Sequence, residues 1–244
     1  MKCLILAAGY ATRLYPLTEN FPKPLLKVQG KAILDWLIDD MDRCGVIDEY
    51  VVISNHRFAR HFQDWARGKK QKVTVVDDGT ESNETRLGAV RDIQFALDTL
   101  SIREDVLVMA GDNLLDFSLL KFIDYAREKD TSCIMRYHEP TEAKLKRSGV
   151  VFLDETEKVL SLEEKPAQPK SNWCCPAFYF YKAKDASRIA EGIADGCHVD
   201  APGSFVAWLC SKTTIHAMEM PGSRYDIGNL ESYETVQKEY KGIC

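Results

Sequence analysis

"LILAAGYATRLYPLTENFPKPLL", residues 4–26, opens as a buried strand and then stops behaving like core. After Ala7-Ala8-Gly9 the chain carries Arg13 and Lys23, with Pro16, Pro22 and Pro24 spaced around them. Gly9 permits a tight turn and lets backbone amides come close to a ligand. Successive amides in such a turn form an anion-binding concavity. Arg13 can fork onto phosphate oxygens, while Lys23 serves as a mobile point charge. The prolines limit collapse of the empty loop and so lower the ordering cost of binding. A phosphate-holding loop at the carboxyl end of the first strand sets the expected fold.

Apolar runs alternate with helical patterns along the first half. Strands are predicted over Lys2–Ala7, Tyr50–Ser54, Val73–Val76, Val106–Ala110 and Ser132–Tyr137. Ile33, Leu34, Leu37, Ile38 and Met41 recur at helical spacing, so 33–44 should bury one face and end at Gly45. Leu87–Leu100 and Phe117–Glu128 read the same way. This alternation predicts an α/β fold whose mostly parallel sheet is covered by helices, with ligands at the carboxyl strand ends. After Pro140, Val150–Leu153 and Val159–Leu162 flank the polar turn "DETEK" as a hairpin. Phe178–Tyr181 follows as an aromatic strand, then helices near Ala183–Ala194 and Phe205–Cys210. No repeat or low-complexity linker divides the chain.

With 244 residues, 45% hydrophobic and 28% charged, the composition is that of an ordinary globular protein. The net charge of -5 gives no general attraction to nucleic acid or anionic membrane, so an anionic ligand must be held by local charge. No apolar run reaches the roughly 18 residues of a membrane span, and the apolar start is too short for a signal peptide. The eight cysteines, Cys3, Cys44, Cys133, Cys174, Cys175, Cys197, Cys210 and Cys244, contain no C-x-x-C pair. They read as free thiols of a cytoplasmic protein. His56 and His61 are one residue off the spacing that grips zinc from one helix face, and read as surface residues. "ARGKKQK", residues 66–72, reads as a solvated turn without the aromatic platforms that stack bases.

Three further elements carry chemistry. "VLVMAGDN", residues 106–113, puts Asp112 at the carboxyl edge of the sheet, where a carboxylate suits Mg²⁺. A turn or N-cap aspartate is the plainer alternative. In "RYDIGN", residues 224–229, Asp226 precedes Gly228 and a helix starting near Leu230, and could supply a second carboxylate. In "SLEEKPAQPKSN", residues 161–172, a carboxylate could accept sugar hydroxyls and Lys165 could neutralise a monophosphate; a solvated hairpin end is the alternative. "GYATRL" lacks the second and third glycines of a dinucleotide fingerprint.

In this order, the four elements resemble the sugar-1-phosphate nucleotidyltransferases, also called nucleoside-diphosphate-sugar pyrophosphorylases. Gly9, Thr12, Arg13, Pro22 and Lys23 match the family's opening G-x-G-T-R and P-K pattern. "GDN" matches its metal-binding strand end, and "YDIGNLESYE" its closing aspartate motif. "SLEEKPAQPKSN", continued by "FYFY", looks closest to the glucose-1-phosphate thymidylyltransferases. The resemblance implies a Rossmann-like three-layer α/β/α nucleotidyltransferase fold with a mixed, mostly parallel central sheet and a sugar-binding lobe. It implies one domain over 1–244, with 1–138 the nucleotide-binding half and 139–244 the sugar-binding half.

The implied reaction is attack of a sugar-1-phosphate oxygen on the α-phosphorus of a nucleoside triphosphate, with pyrophosphate leaving in line. Positioning and charge stabilisation would supply the catalysis. By similarity, Arg13 and Lys23 act on the reacting phosphates, and Asp112 and Asp226 hold Mg²⁺. Ala7, Ala8, Gly9, Tyr10, Ala11, Thr12, Arg13, Asn83, Gly88 and Gly111 contact the nucleotide, while Gly149, Glu164 and Lys165 contact the sugar phosphate. Favoured substrates are dTTP or UTP with glucose-1-phosphate; CTP and GTP remain open.

Three positions depart from the family pattern. Ala11 stands where glycine is usual, at a cost of about 1 kcal/mol if the site needs positive φ. The segment 77–90, "DDGTESNETRLGAV", differs from the thymidylyltransferase loop, so base preference does not transfer. The chain ends soon after the Asp226 helix, which points to a monomer or homodimer rather than the tetramer of longer members. Two alternatives stand beside the sugar reading: a cytidylyltransferase for another phosphorylated alcohol such as phosphocholine, and a non-catalytic sensing subunit.

Overall fold

A computed structural model describes residues 1–43 and 45–243. The chain divides into two compact units, each discontinuous in sequence: 1–86 with 110–120 and 221–244, and 87–109 with 121–220. The fold is α/β and mixed in strand direction.

In the first unit, the strands Lys2–Leu6, Glu49–Ser54 and Val73–Asp77 run parallel, with Lys2 opposite Glu49 and Tyr50 opposite Val73. Every residue of Glu49–Ser54 is buried, which its continuous "YVVI" run anticipates. The Ile33–Arg43 helix buries Ile33, Leu34, Leu37, Ile38 and Met41, the face read from the sequence. Gly45 follows with a φ of 62°. Asn55 begins the next helix, His56–Arg67, its side chain accepting the Phe58 amide at 3.0 Å.

One apolar cluster of this unit joins segments that are distant in sequence. Leu14, Leu26, Val28, Ile33, Leu114, Ile227, Val236 and Tyr240 pack together. Leu14 adjoins Arg13, Leu114 lies two residues after Asp112, and Ile227 adjoins Asp226. Burial of the apolar neighbours thus draws the polar motifs towards one another. The Leu230–Glu239 helix adds Val236 and starts from a capping box between Asn229 and Ser232.

The second unit is built mainly from antiparallel pairings. Phe178–Tyr181 lies between Val106–Ala110 and Ser132–His138, antiparallel to both. Trp173–Cys175 pairs antiparallel with Ser132–His138 and with Gly149–Leu153. The expected hairpin is present as Gly149–Leu153 and Val159–Glu164. Ile215–Glu219, absent from the sequence reading, pairs parallel with Ser132–His138 and buries Ile215 and Ala217.

Several expectations need correction. The helix expected over Ala183–Ala194 is two, Ala183–Ala186 and Ile189–Ala194. Buried Asp185 turns inward to accept the Ser132 hydroxyl at 2.6 Å, which fixes the first turn separately. His61 is not a surface residue: half-buried, its ring packs edge-on against Phe21 and Phe58. Cys3, Cys133, Cys174, Cys175, Cys197 and Cys210 are free thiols; Cys44 and Cys244 lie outside the described residues. Among those residues, no helix is long and apolar enough to cross a membrane.

Candidate functional site

The loop after the first strand is anchored at its base. The Ala7 amide donates to Ile53 O at 2.9 Å, and the side-chain amide of Asn55 donates to Ala8 O at 2.8 Å. Asn55 thereby ties the loop to the helix that it caps. Tyr10 is buried, with its hydroxyl 3.3 Å from Thr80 O. Between these anchors Gly9 is exposed, and no atom lies within 4 Å of where a Cβ would stand. Among the described residues, the amides of Gly9, Tyr10 and Ala11 find no hydrogen-bond acceptor. They suit an anion.

Ala11, not Gly9, takes the left-handed conformation, with φ 46° and ψ 42°. The strained position foreseen for this alanine is therefore real, and the turn compensates for it. The Ala11 carbonyl accepts both the Leu14 amide at 3.0 Å and the Thr18 hydroxyl at 2.8 Å. Arg13 follows in the short 3₁₀ helix Thr12–Leu14, exposed, with no carboxylate paired to its guanidinium among the described residues.

Lys23 differs from the mobile charge expected of it. Its side chain is only 8% exposed, and its ammonium donates to Asp112 Oδ2 at 2.7 Å. Pro22 and Pro24 frame the 3₁₀ turn that carries it. Asp112 reaches this position because Gly111 donates its amide to Leu6 O at 3.0 Å, beside the end of the first strand. A Cβ at Gly111 would lie 2.9 Å from the Ile5 side chain, so the approach needs glycine. Burial pushes the Asp112 carboxyl up, but the charge and hydrogen bond of Lys23, with the charge of Arg224, hold it below the usual carboxylate range.

Arg224 was not singled out from the sequence, although it begins the "RYDIGN" motif. Its guanidinium donates to Asn113 Oδ1 at 3.0 Å and lies 3.7 Å from Asp226 Oδ1. Asp112 and Asp226 therefore share one arginine as electrostatic neighbour. Among the described residues, no three His, Cys, Asp or Glu side chains gather as metal ligands. Asp112 and Asp226 could supply the one or two protein oxygens that Mg²⁺ takes, its shell being completed by phosphate and water.

The segment after Val73–Asp77 is a chain of short turns. Asp78 accepts the Thr80 amide and hydroxyl, each at 2.7 Å, and Asn83 lies exposed in the following turn. In the second unit, Gly88 has φ 91°, and a Cβ there would lie 2.6 Å from Val199 O. The Ala89 and Val90 amides donate to Asp200 O and Val199 O. This crowding by the 199–200 backbone gives Gly88 a structural reason to be glycine.

Also in the second unit, Gly149 stands in register with Glu164 on one side and Cys175 on the other. Directly opposed residues share a sheet face, so the missing side chain leaves a notch between the other two. A Cβ at Gly149 would come within 3.2 Å of Glu164 Oε1. The Gly203 amide reaches the same carboxylate, and a Cβ at Gly203 would stand 2.2 Å from Glu164 Oε1. Burial pushes the Glu164 carboxyl up, against the charge of Lys165 and the Gly203 amide. Burial pushes both the Cys175 thiol and the Tyr179 hydroxyl up. Lys165 is exposed, at φ 50°, with its amide donating to Ser148 O at 2.9 Å. Gly203 and Cys175 carried no sequence signal, since their importance comes from contacts across strands and with a helix.

Comparisons with known proteins bear on the family of the whole chain. The family model described as nucleotidyl transferase matches residues 2–242. The UTP–glucose-1-phosphate uridylyltransferase AglF of Haloferax volcanii is 26% identical over 98% of this chain and 96% of its own. The bifunctional protein GlmU of Methanococcus aeolicus is 30% identical over 75% of this chain; the match covers 41% of that longer protein. A crystal structure of UDP-glucose pyrophosphorylase complexed with UDP-glucose superposes with a TM-score of 0.81 at 20% identity, covering 98% of this chain and 97% of that one. With a family match across nearly its whole length, the chain belongs to the nucleotidyl transferase family.

Proposed function

We propose that this nucleotidyl transferase moves a nucleotidyl group from a nucleoside triphosphate to a sugar-1-phosphate. The acceptor phosphate oxygen forms a bond to the α-phosphorus, the bond from that phosphorus to the β-phosphate bridge breaks, and pyrophosphate leaves with the electron pair. The observation that carries the reading is the meeting of Lys23, Asp112, Arg224 and Asp226, from three distant segments, in one unit. The family's uridylyltransferase relative, matched end to end, supports UTP and glucose-1-phosphate as the first pair to try.

In this reading the open amides of Gly9, Tyr10 and Ala11 receive phosphate oxygens, with Ala7, Ala8 and Thr12 shaping the loop and Arg13 stabilising charge that grows in the transition state. Gly111 keeps the Asp112 strand end close to the phosphates, and Asn83 borders the base. Lys23 neutralises the reacting phosphates once released from Asp112. Asp112 and Asp226 would hold Mg²⁺, which when bound supplies charge neutralisation on the phosphates. Glu164 accepts hydroxyls of the sugar in the Gly149 notch, and Lys165 faces its phosphate.

A pyrophosphate-release screen crossing dTTP, UTP, CTP and GTP with hexose-1-phosphates and phosphocholine tests this directly. Turnover with a hexose-1-phosphate, dependent on both substrates and abolished by a chelator, is expected. Turnover of phosphocholine alone would replace the sugar assignment, and silence across the panel in folded protein would favour a sensing subunit.

A further inference from the structure

The two carboxylates assigned to the metal each face a basic side chain of the same unit. Lys23 donates to Asp112 at 2.7 Å, and Arg224 lies 3.7 Å from Asp226 while donating to Asn113 at 3.0 Å. Lys23 is the more constrained of the two, with its side chain 8% exposed. A cation arriving at Asp112, whose side chain is 41% exposed, must compete with an ammonium that has almost no solvent to retreat into. Stripping a buried charge of its partner is strongly unfavourable unless another anion takes the partner's place. A bare divalent ion brings no such anion. A nucleoside triphosphate does, because its phosphates can accept Lys23 and Arg224 as the carboxylates let go.

Resting on the metal assignment above, we propose that Lys23 and Arg224 are resident counter-ions that bar a free divalent cation from Asp112 and Asp226. The pair of carboxylates then accepts metal only together with nucleotide phosphates. Lys23 and Arg224 act as positioning residues here: they decide when the carboxylates are available. The arrangement couples metal entry to the arrival of substrate and passes Lys23 from carboxylate to phosphate in the same event. Arg224 supplies the second positive charge, 3.7 Å from Asp226 and bonded to Asn113 beside Asp112.

The test is Mn²⁺ binding followed by the loss of free-ion electron paramagnetic resonance signal, with and without a non-hydrolysable nucleoside triphosphate analogue. The wild-type chain alone is expected to leave Mn²⁺ free at concentrations where the chain with analogue takes it up, after subtraction of uptake by the analogue itself. Lys23→Gln and Arg224→Gln should each bind Mn²⁺ without nucleotide, with an affinity raised about tenfold or more, the lower end for close charge pairs. Equal uptake by the wild-type chain with and without analogue overturns the proposal while leaving the metal assignment intact. No uptake beyond the analogue's own removes the metal assignment, and the proposal with it. The wild-type comparison decides even if a variant misfolds. Folded variants that bind no better than wild type without nucleotide also overturn it.

Discussion

The Thr18 hydroxyl donates to the carbonyl of Ala11 at 2.8 Å, across seven residues of loop, and holds a left-handed alanine where a glycine would sit without strain. The loop's shape is thus maintained by a side-chain bond rather than by backbone freedom. Ala11→Gly should raise stability by up to about 1 kcal/mol, the cost of the methyl, less the extra chain entropy of glycine. For a chain of this size that is a rise of roughly 2–4 °C in melting temperature. Thr18→Val should cost about 1 kcal/mol and raise the KM for nucleotide, read by thermal melting and steady-state kinetics.

Arg13 carries a separate expectation, because it is exposed and pairs with no carboxylate among the described residues. Arg13→Ala should leave the melting temperature nearly unchanged and lower the rate about 10²-fold or more, chiefly in kcat. Asp226→Asn should likewise keep the fold and lose most turnover. A wild-type rate in either variant removes that residue from the chemistry.

Glu164 places function and stability in opposition. Its folded carboxyl titrates above the ordinary range because burial penalises its charge. The native state therefore binds its proton more tightly than the unfolded chain does, and stability falls as pH rises through that window. Glu164→Gln should melt higher than the wild type at pH 7, with the difference shrinking below pH 4, and should raise the acceptor KM. A variant less stable than wild type at neutral pH would mean that the carboxylate is better solvated than its surroundings indicate.

Glu49 has the reverse sign. Burial pushes its carboxyl up, but hydrogen bonds from Lys2, Thr74 and Lys72 lower it to about 2. Its contribution is present above the unfolded carboxyl pKa and lost as pH falls through about 2. Glu49→Gln should therefore cost about 2 kcal/mol at pH 7 and almost nothing near pH 2, measured by urea unfolding at both.

Gly88 separates packing from recognition. Gly88→Ala places a methyl against Val199 O at positive φ and should cost about 2 kcal/mol or more. If the residue's main duty is packing, affinity for nucleotide should be unchanged once corrected for the folded fraction. A loss of affinity in fully folded protein would assign Gly88 to the base.

By itself, the sequence determined most of the elements of the first half of the chain. The continuous "YVVI" run reads as a strand buried on both faces, and the spacing of Ile33, Leu34, Leu37, Ile38 and Met41 as a one-sided helix. These are short-range consequences of backbone period and burial, so they are legible along the chain. Arg13, Lys23, Asp112 and Asp226 stood out through the order of their motifs along the chain, since each alone could be a surface charge or a turn residue. What tertiary structure alone decided was their company. Leu14, Leu26, Leu114 and Ile227 come together through non-directional burial of apolar surface, which local pattern does not specify. That packing exchanged the expected mobility of Lys23 for a bond to Asp112 and brought Arg224 beside Asp226 and Asn113. In the second unit, strand register set the Gly149 notch between Glu164 and Cys175, because only pairing across strands determines which residues face each other.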